Sequence, residues 1–429
     1  MTAVITGIGV TAPTGLGTQE FWGATLDGKS AIASISRYDA SSYPVRLCGE
    51  ITGFDATEHI PGRLLPQTDR MTQLALTAAD LALADAGLSA DDLNPQKTGV
   101  ATAGAAGGFE FGQKELQTLW SQGPQYVSAY QSFAWFYAVN TGQLSIKHDT
   151  RGPSNVVVSE QAGGLDALAV ARRRIRQGTT VMIAGGLDAP LSPWAMAAQI
   201  PNGRMSRSLD PDRAYLPFHE DACGYVPGEG GALLIVEDER TARRRAAPRI
   251  YARIAGHCST FDSDRRGPTR LASCIEGAIA DAELSPRDID VVFADAAGVP
   301  ALDQDEAEAL VRVFGPRRVP VTAPKTMTGR MYSGGAAVDV AMGLLALADD
   351  IIPPTANVGR PAPGYGIDLV TSVRPSSVNT ALIIARGYHG FNSALVLTGV
   401  DGENVDFVPE INPEQTRRSR KGQYMVKEA

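Results

Sequence analysis

The stretch "VVVSEQAGGLDALAVARRRIRQG", Val156 to Gly178, constrains this chain more than any other. Val156–Val158 read as a buried strand, and the run from "AGG" onward has helical spacing. The chain must therefore pass from strand to helix within a few residues of Gln161. A helix start leaves its first N–H groups unpaired and carries partial positive charge, which lowers a thiol's pKa and holds an oxyanion. The junction is a seat for a nucleophile, yet it carries a glutamine. Gly163 and Gly164 each weaken the helix by about 1 kcal/mol relative to alanine. Either they allow plain helix–strand packing, or something else approaches the backbone closely there.

Around this junction strand and helix signals alternate. "TAVITGIGV", "TGVATAGAAGG", "TTVMIAGG" and "GGALLIVED" are mostly apolar, as strands covered on both faces should be. "TQEFWGATLDGKS" reads as a helix stopped by Gly28. "TDRMTQLALTAADLALADAG" reads as an amphipathic helix capped by Thr68 or Asp69, with Leu74, Ala78 and Leu81 on one face and Gly87 at its end. A helix around Gln113–Trp120 and the aromatic run "SFAWFYAVN" follow. At "DERTARRRAAPRI" the pattern resets, and its composition predicts an exposed connector with Arg243, Arg244 and Arg245 on a solvated face. The second half repeats the order, with strands in "IYARIAGHC", "IDVVFADAAG", "VPVTAPKT", "TALIIARG" and "SALVLTGV" and helices in "TRLASCIEGAIADAEL" and "DQDEAEALVRVFG". The expected organisation is α/β, with halves 1–245 and 246–398 and a polar tail, 399–429, that reads as mobile.

A net charge of −8 argues against a nucleic-acid partner, which needs a basic face. No apolar run reaches the ~18 residues of a membrane span, and "MTAVITGIGV" lacks the basic start and long apolar core of a signal peptide. Cys48, Cys223, Cys258 and Cys274 show no paired spacing, so neither a metal site nor a disulfide frame is expected. The expectation is a soluble cytoplasmic protein.

Five separated motifs then point to a family. "VITGIGVTAPTGLG…FWGATLDGKSAI", "DRMTQLAL", "FHEDACGYVPGEGGALLIVED", "PKTMTGRMYSGGAA" and "GYHGFNSALVL" resemble, in order, those of β-ketoacyl synthases of the thiolase fold, over roughly residues 1–398. The resemblance implies two similar halves in a layered α-β-α-β-α sandwich, dimerising through the strand before the active-site helix. Active members use a cysteine and two histidines. The cysteine of the family's C-T-S-G-L-D pattern falls on Gln161, the histidine of its H-G-T motif on Ala297, and the second histidine on Arg330. The lysine survives as Lys325, in a structural or polar role, as do Asp305 and Glu308 of an acidic segment. The family's G-F-G-G turn reads Gly387-Tyr388-His389-Gly390.

Each replacement removes a chemical capacity. The amide nitrogen of Gln161 has a delocalised lone pair and forms no thioester. Ala297 has nothing to donate to an enolate, and Arg330 donates without exchanging a proton near neutrality. None of the five histidines, His59, His148, His219, His257 and His389, lies in either histidine motif; only His389 falls near the family's site.

This set of losses, with "VSEQAGGLDA", "FADAAGVP", "SFAWFYAVNTGQ" and "PDRAYLPF", resembles the chain length factor, or ketosynthase-β subunit, of bacterial type II polyketide synthases. The resemblance implies a heterodimer with a catalytic ketosynthase-α subunit that builds a poly-β-ketone in aromatic polyketide biosynthesis. No cofactor is implied beyond the phosphopantetheine of an acyl carrier protein that carries the chain. Two functions stand open. In the first, the chain is a non-condensing subunit of the acyltransferase complex that completes and bounds the partner's site. In the second, Gln161 holds a thioester carbonyl and the chain decarboxylates malonyl-carrier protein to supply the acetyl primer; each missing enolate donor would cost ~3–4 kcal/mol there.

Phe109, Gly112, Leu116 and Trp120 recur at i, i+3, i+7 and i+11 and share one face of a regular helix. By the resemblance this segment borders the product channel at the subunit interface, with Phe133 and Trp194 as further wall residues. Glycine inside a helix costs about 1 kcal/mol, so Gly112 marks either room in the channel or a close helix–helix contact.

Overall fold

The computed structural model describes residues 1–263 and 270–400. The tail expected beyond 399, with its "RRSRKGQ" stretch, lies outside the described residues from 401 onward.

The described chain builds one strand order twice. In the first half β1 (Ala3–Ala12) pairs antiparallel with β5 (Gly230–Asp238), and β5 antiparallel with β4 (Val181–Asp188). β4 is parallel to β2 (Thr98–Ala103), and β2 to β3 (Ser154–Val157). In the second half β6 (Ala252–Phe261) pairs antiparallel with β10 (Phe391–Thr398), and β10 with β9 (Thr380–Gly387). β9 is parallel to β7 (Val291–Phe293), and β7 to β8 (Pro320–Thr322). The two sets meet where Val4 and Ile5 of β1 pair with Arg253 and Ala252 of β6.

Helices fill three layers. α1 (Arg70–Asp85) covers the outer face of the first sheet on β1 and β5, and α5 (Leu271–Asp281) covers the outer face of the second on β6 and β10. Between the sheets lie α3 (Gly163–Arg176) and α7 (Ser333–Asp349), packed on each other and on strands of both halves. The strands serve two layers by simple alternation. Ala101, Ala184 and Leu234 face the central core, while their neighbours Val100, Ile183 and Leu233 face α1. Phe293, Ile383 and Leu395 face the central core, while Val292, Leu382 and Val396 face α5. The result is the α-β-α-β-α sandwich.

The central helices meet across glycines. A Cβ on Gly164 would sit 2.6 Å from the Ser333 carbonyl oxygen and 2.7 Å from the Ala337 nitrogen. One on Gly163 would sit 2.8 Å from Ser333 Oγ. What approaches the backbone at "AGG" is therefore the start of α7. The helix-on-strand reading does not account for it, although Ala103 at the end of β2 lies close as well.

Three expectations are corrected. The strand before the turn is Ser154–Val157, and it is not buried: it forms the sheet edge, half-buried, with Val158 51% exposed. An edge strand has nothing of its own chain on its outer side. The helix expected at Gln113–Trp120 is α2, Phe109–Gln122. It begins where the spacing of Phe109, Gly112, Leu116 and Trp120 requires, and its cap comes from elsewhere in the chain: Asp69, whose Oδ1 accepts from Met71 N at 2.8 Å to cap α1, also accepts from Phe111 N at 2.8 Å through Oδ2. The arginine-rich connector contains the helix Glu239–Arg244, and Arg245 leaves the solvated face to pair with the buried carboxylate of Glu237 at 2.6 and 2.9 Å.

Gly164→Ala should lower stability by about 1–3 kcal/mol, since the Cβ meets backbone that moves only with a whole helix. Gly23→Ala, in the helix Thr18–Leu26 with nothing within 4 Å of the added Cβ, should raise it by about 0.8–1 kcal/mol. Denaturant midpoints of the two variants should move in opposite directions.

Candidate functional site

The turn between β3 and α3 is a single turn of 3-10 helix, Glu160–Ala162, entered through Glu160 at φ +52°. A non-glycine residue in that region is strained, and here the strain turns the Glu160 side chain inward. Its Oε2 accepts the Gln161 N–H at 2.9 Å and the Tyr388 N–H at 2.6 Å. The first comes from the turn and the second from the loop between β9 and β10. Burial pushes the Glu160 pKa up, and the nearby Arg330 charge acts in the opposite direction.

Gln161 is buried and its carboxamide is occupied. Oriented as its hydrogen bonds require, the amide nitrogen donates to the Tyr332 carbonyl at 3.0 Å and the amide oxygen accepts from Tyr332 N–H at 3.2 Å. Tyr332 is the cap of α7, at φ +48°. The side chain in the nucleophile's seat thus fastens one central helix to the other.

Beside it stands a fixed ion pair. Arg330 Nη1 and Nη2 donate to the two carboxylate oxygens of Asp295 at 3.1 and 3.0 Å, and to the carbonyls of Asp295 and Arg386 at 2.7 and 3.3 Å. Both residues are buried. Burial alone would raise the Asp295 pKa, but Arg330 and Lys325 hold it below the usual carboxylate range, while Asp295 keeps Arg330 charged against its own burial. Lys325 is spent in a second buried pair, 2.5 Å from Asp339 of α7, whose carboxyl burial pushes up to about 6 although Lys325 opposes the shift. Ala297 is buried and presents only a methyl group.

The loop carrying Asp295 and Ala297 is held by α6 (Pro300–Phe314). Asp303 accepts from Gly298 N at 2.9 Å, and Glu306 accepts from the Asp295 and Ala296 N–H groups at 2.7 and 2.8 Å. These carboxylates, rather than Asp305 and Glu308, organise the site. Asp305 lies 3.6 Å from Arg386, and Glu308 is exposed with Gln304 as its partner. Sequence reasoning missed Glu160, Asp295, Asp303 and Glu306. The one available signal was spacing: Asp303 and Glu306 lie at i, i+3 on the face that also carries Ala307 and Leu310 inward.

A partly open cavity of about 300 Å³ adjoins the turn, lined among others by Glu160, Tyr225, Arg330, Tyr332 and Tyr388. His389 is on its wall at φ +73°. Away from it, the expected channel residues divide. Leu116, Trp120 and Trp194, of α2 and of α4 (Pro193–Gln199), line one open apolar groove. Phe109 lies edge-on to Trp194 at 4.8 Å. Gly112 is not open space: a Cβ there would sit 3.1 Å from the Trp194 ring, so the close-contact reading of this glycine holds. Phe133 lies elsewhere, half-buried against the core under α1, with Tyr130 at 5.8 Å.

Comparison with known proteins agrees with this architecture. The family described as Beta-ketoacyl synthase, N-terminal domain matches residues 2–242, and Beta-ketoacyl synthase, C-terminal domain matches residues 251–359. The chain is 60% identical over 399 residues to the tetracenomycin polyketide synthase ketoacyl synthase beta subunit of Streptomyces glaucescens, covering 92% of this chain and 97% of that one. It is 54% identical over 402 residues to the actinorhodin polyketide putative beta-ketoacyl synthase 2 of Streptomyces coelicolor, covering 92% and 98%. Among solved structures it resembles the ishigamide ketosynthase/chain length factor, with TM-score 0.85, 25% identity, and 93% and 99% of the chains covered. It also resembles a type II PKS acyl-carrier protein in complex with its ketosynthase bound to the hexaketide, with TM-score 0.84, 26% identity, and 93% and 99% covered. Among the described residues no helix is long and apolar enough to cross a membrane.

Arg330→Met should destabilise the protein by about 3–5 kcal/mol, because it leaves the Asp295 carboxylate buried without its partner. Removing both charges with Asp295→Asn in the same chain should recover most of that loss. Denaturant midpoints of the single and double variants check the sign.

Proposed function

The chain belongs to the β-ketoacyl synthase family, and we propose that within it the chain is the non-condensing ketosynthase-β, or chain length factor, subunit of a bacterial type II polyketide synthase. It would pair with a catalytic ketosynthase-α subunit and help to build and size-limit a poly-β-ketone carried on an acyl carrier protein. The observation that carries this reading is the state of Gln161, buried in the nucleophile's seat with its amide bonded to the Tyr332 backbone. Neither a nucleophile nor either histidine of an active relative stands within that seat, since Gln161 replaces the first, Arg330 is locked to Asp295 and Ala297 is a methyl group. The chemistry would then belong to the partner.

A partner also accounts for the exposed surface. Trp135, Phe136, Tyr137 and Val158 are exposed on this chain, and β3 leaves a free sheet edge. A bare strand edge with exposed aromatics is an aggregation hazard unless another chain covers it. The likeness to a solved ketosynthase/chain length factor supports a ketosynthase-α as that chain.

The decarboxylase reading needs the Gln161 amide to hold a thioester carbonyl. That amide already donates to Tyr332, and the neighbouring Gln161 N–H donates to Glu160. Both bonds would have to break first, which favours the non-catalytic role.

Co-expression with a ketosynthase-α should give a 1:1 complex, whereas expression alone should give a poorly soluble product or weak homodimers. In that complex, Gln161→Cys in this chain should not restore chain extension once the partner's own cysteine is removed. Measured extension there, or a soluble monomer indifferent to the partner, would overturn the proposal. Gln161→Ala should leave acetyl priming from malonyl alone unchanged.

The chain-length role is carried by the groove of Leu116, Trp120 and Trp194. Leu116→Phe should fill it and shorten the main product by at least one two-carbon unit at unchanged complex yield. Gly112→Thr should act through Trp194, which its Cβ must displace by a few tenths of an ångström. The product mass reads both.

A further inference from the structure

Two backbone N–H groups from separate elements, Gln161 at the strand–helix turn and Tyr388 in the β9–β10 loop, converge on a single oxygen. Donors converging in this way, beside the turn of a helix, form an oxyanion hole. What they hold is Glu160 Oε2, at 2.9 and 2.6 Å. The backbone that builds the hole is braced independently of that carboxylate. Ser333 Oγ donates to the Glu160 carbonyl at 3.0 Å, and a Cβ on Gly387 would meet the Ser159 carbonyl oxygen at 2.5 Å, so the two loops are pressed together by their main chains. The Glu160 side chain also lines the cavity of about 300 Å³, with Tyr388 and Arg330 on the same wall. A ligand oxygen entering from that cavity would meet the two N–H groups where the carboxylate now sits.

We propose that Glu160 is a tethered anion occupying an oxyanion hole that this chain still builds, and that its carboxylate, not loss of the hole, closes the pocket to the carbonyl oxygen of a pantetheine thioester. The anion part rests on geometry alone. The choice of a thioester rests on the proposed function. A subunit that shares a carrier protein with a catalytic partner gains from such a plug, because an open hole would hold acyl thioesters where no nucleophile can use them. The left-handed backbone at Glu160 fits the same purpose, since that conformation turns the side chain back over its own amide neighbour.

The test is Glu160→Gly in the full chain, purified as the 1:1 complex with a ketosynthase-α whose own site is blocked by alkylation of its cysteine. Glycine accepts φ +52° without strain, so this variant removes the plug while favouring the turn. Titration calorimetry with acetate, and separately with acetyl-pantetheine, should show binding to the variant at least tenfold tighter than to the parent. A crystal of the variant with acetate should place a carboxylate oxygen between Gln161 N and Tyr388 N. Glu160→Gln keeps an acceptor oxygen at the same reach and should bind neither probe. No binding of either probe to folded Glu160→Gly, or equal binding to the parent, overturns the plug. Acetate binding without acetyl-pantetheine binding overturns the thioester assignment alone and leaves the hole established. If Glu160→Gly fails to fold, Glu160→Asp draws the carboxylate back by one methylene and is read in the same way.

Discussion

The crossing of the two central helices is the constraint on which the rest depends. α3 and α7 approach so closely that Gly163 and Gly164 admit no side chain against Ser333 and Ala337. The approach extends into the first sheet, where a Cβ on Gly334 would lie 2.0 Å from the Gly230 carbonyl oxygen and one on Gly186 2.3 Å from that of Ser333. Each glycine costs helix or strand propensity, and the closer packing offsets that cost with dispersion contacts. The start of α7 is thereby fixed to the turn that carries Gln161. Asp188 fastens the same corner by accepting N–H groups from Ala105, Ala106 and Ser333 at 3.0 to 3.1 Å.

Around that crossing, the second histidine position of an active relative carries a guanidinium that stays charged, and the first carries a methyl group. Arg330–Asp295 and Lys325–Asp339 are buried pairs, and such pairs contribute little net stability because desolvation offsets attraction. Their consequence is geometric. A bidentate guanidinium fixes the loop of Asp295 and Ala297 in one position, and Asp303 and Glu306 hold the same loop from α6. The site is polar, and neither Arg330 nor Ala297 can change protonation near neutrality as the missing histidines would. Glu160 belongs to the same pattern: a carboxylate stands where a reacting oxygen would otherwise be stabilised.

Away from this corner lies the apolar groove of α2 and α4. α2 begins under the shared cap of Asp69, and α4 is tied to it by the Gln113 side chain, which accepts the Trp194 N–H at 2.7 Å. Trp194 then lies across Gly112 and forms the groove with Leu116 and Trp120. Two indoles and one leucine wall that groove, and the glycine beneath lets the Trp194 ring approach the helix closely.

The sequence by itself determined the order of strands and helices, the duplication of that order, and the junction at Gln161. Each is carried by local signals: apolar runs of strand length, glycines at helix ends and a sharp change of period. It also determined which capacities were absent, because an amide, a methyl group and a guanidinium lack them in any fold. Tertiary structure alone decided what the altered residues do instead. Arg330 and Asp295 are 35 positions apart, Glu160 and Tyr388 are 228 apart, and Gly164 meets a helix that begins far along the chain. No local pattern records such contacts, since a charged or small residue reads alike whether it faces water or a buried partner. Only the closing of both sheets on the central helices makes an amide into a helix tie, a glutamate into an oxyanion's substitute and a glycine into the bed of a tryptophan.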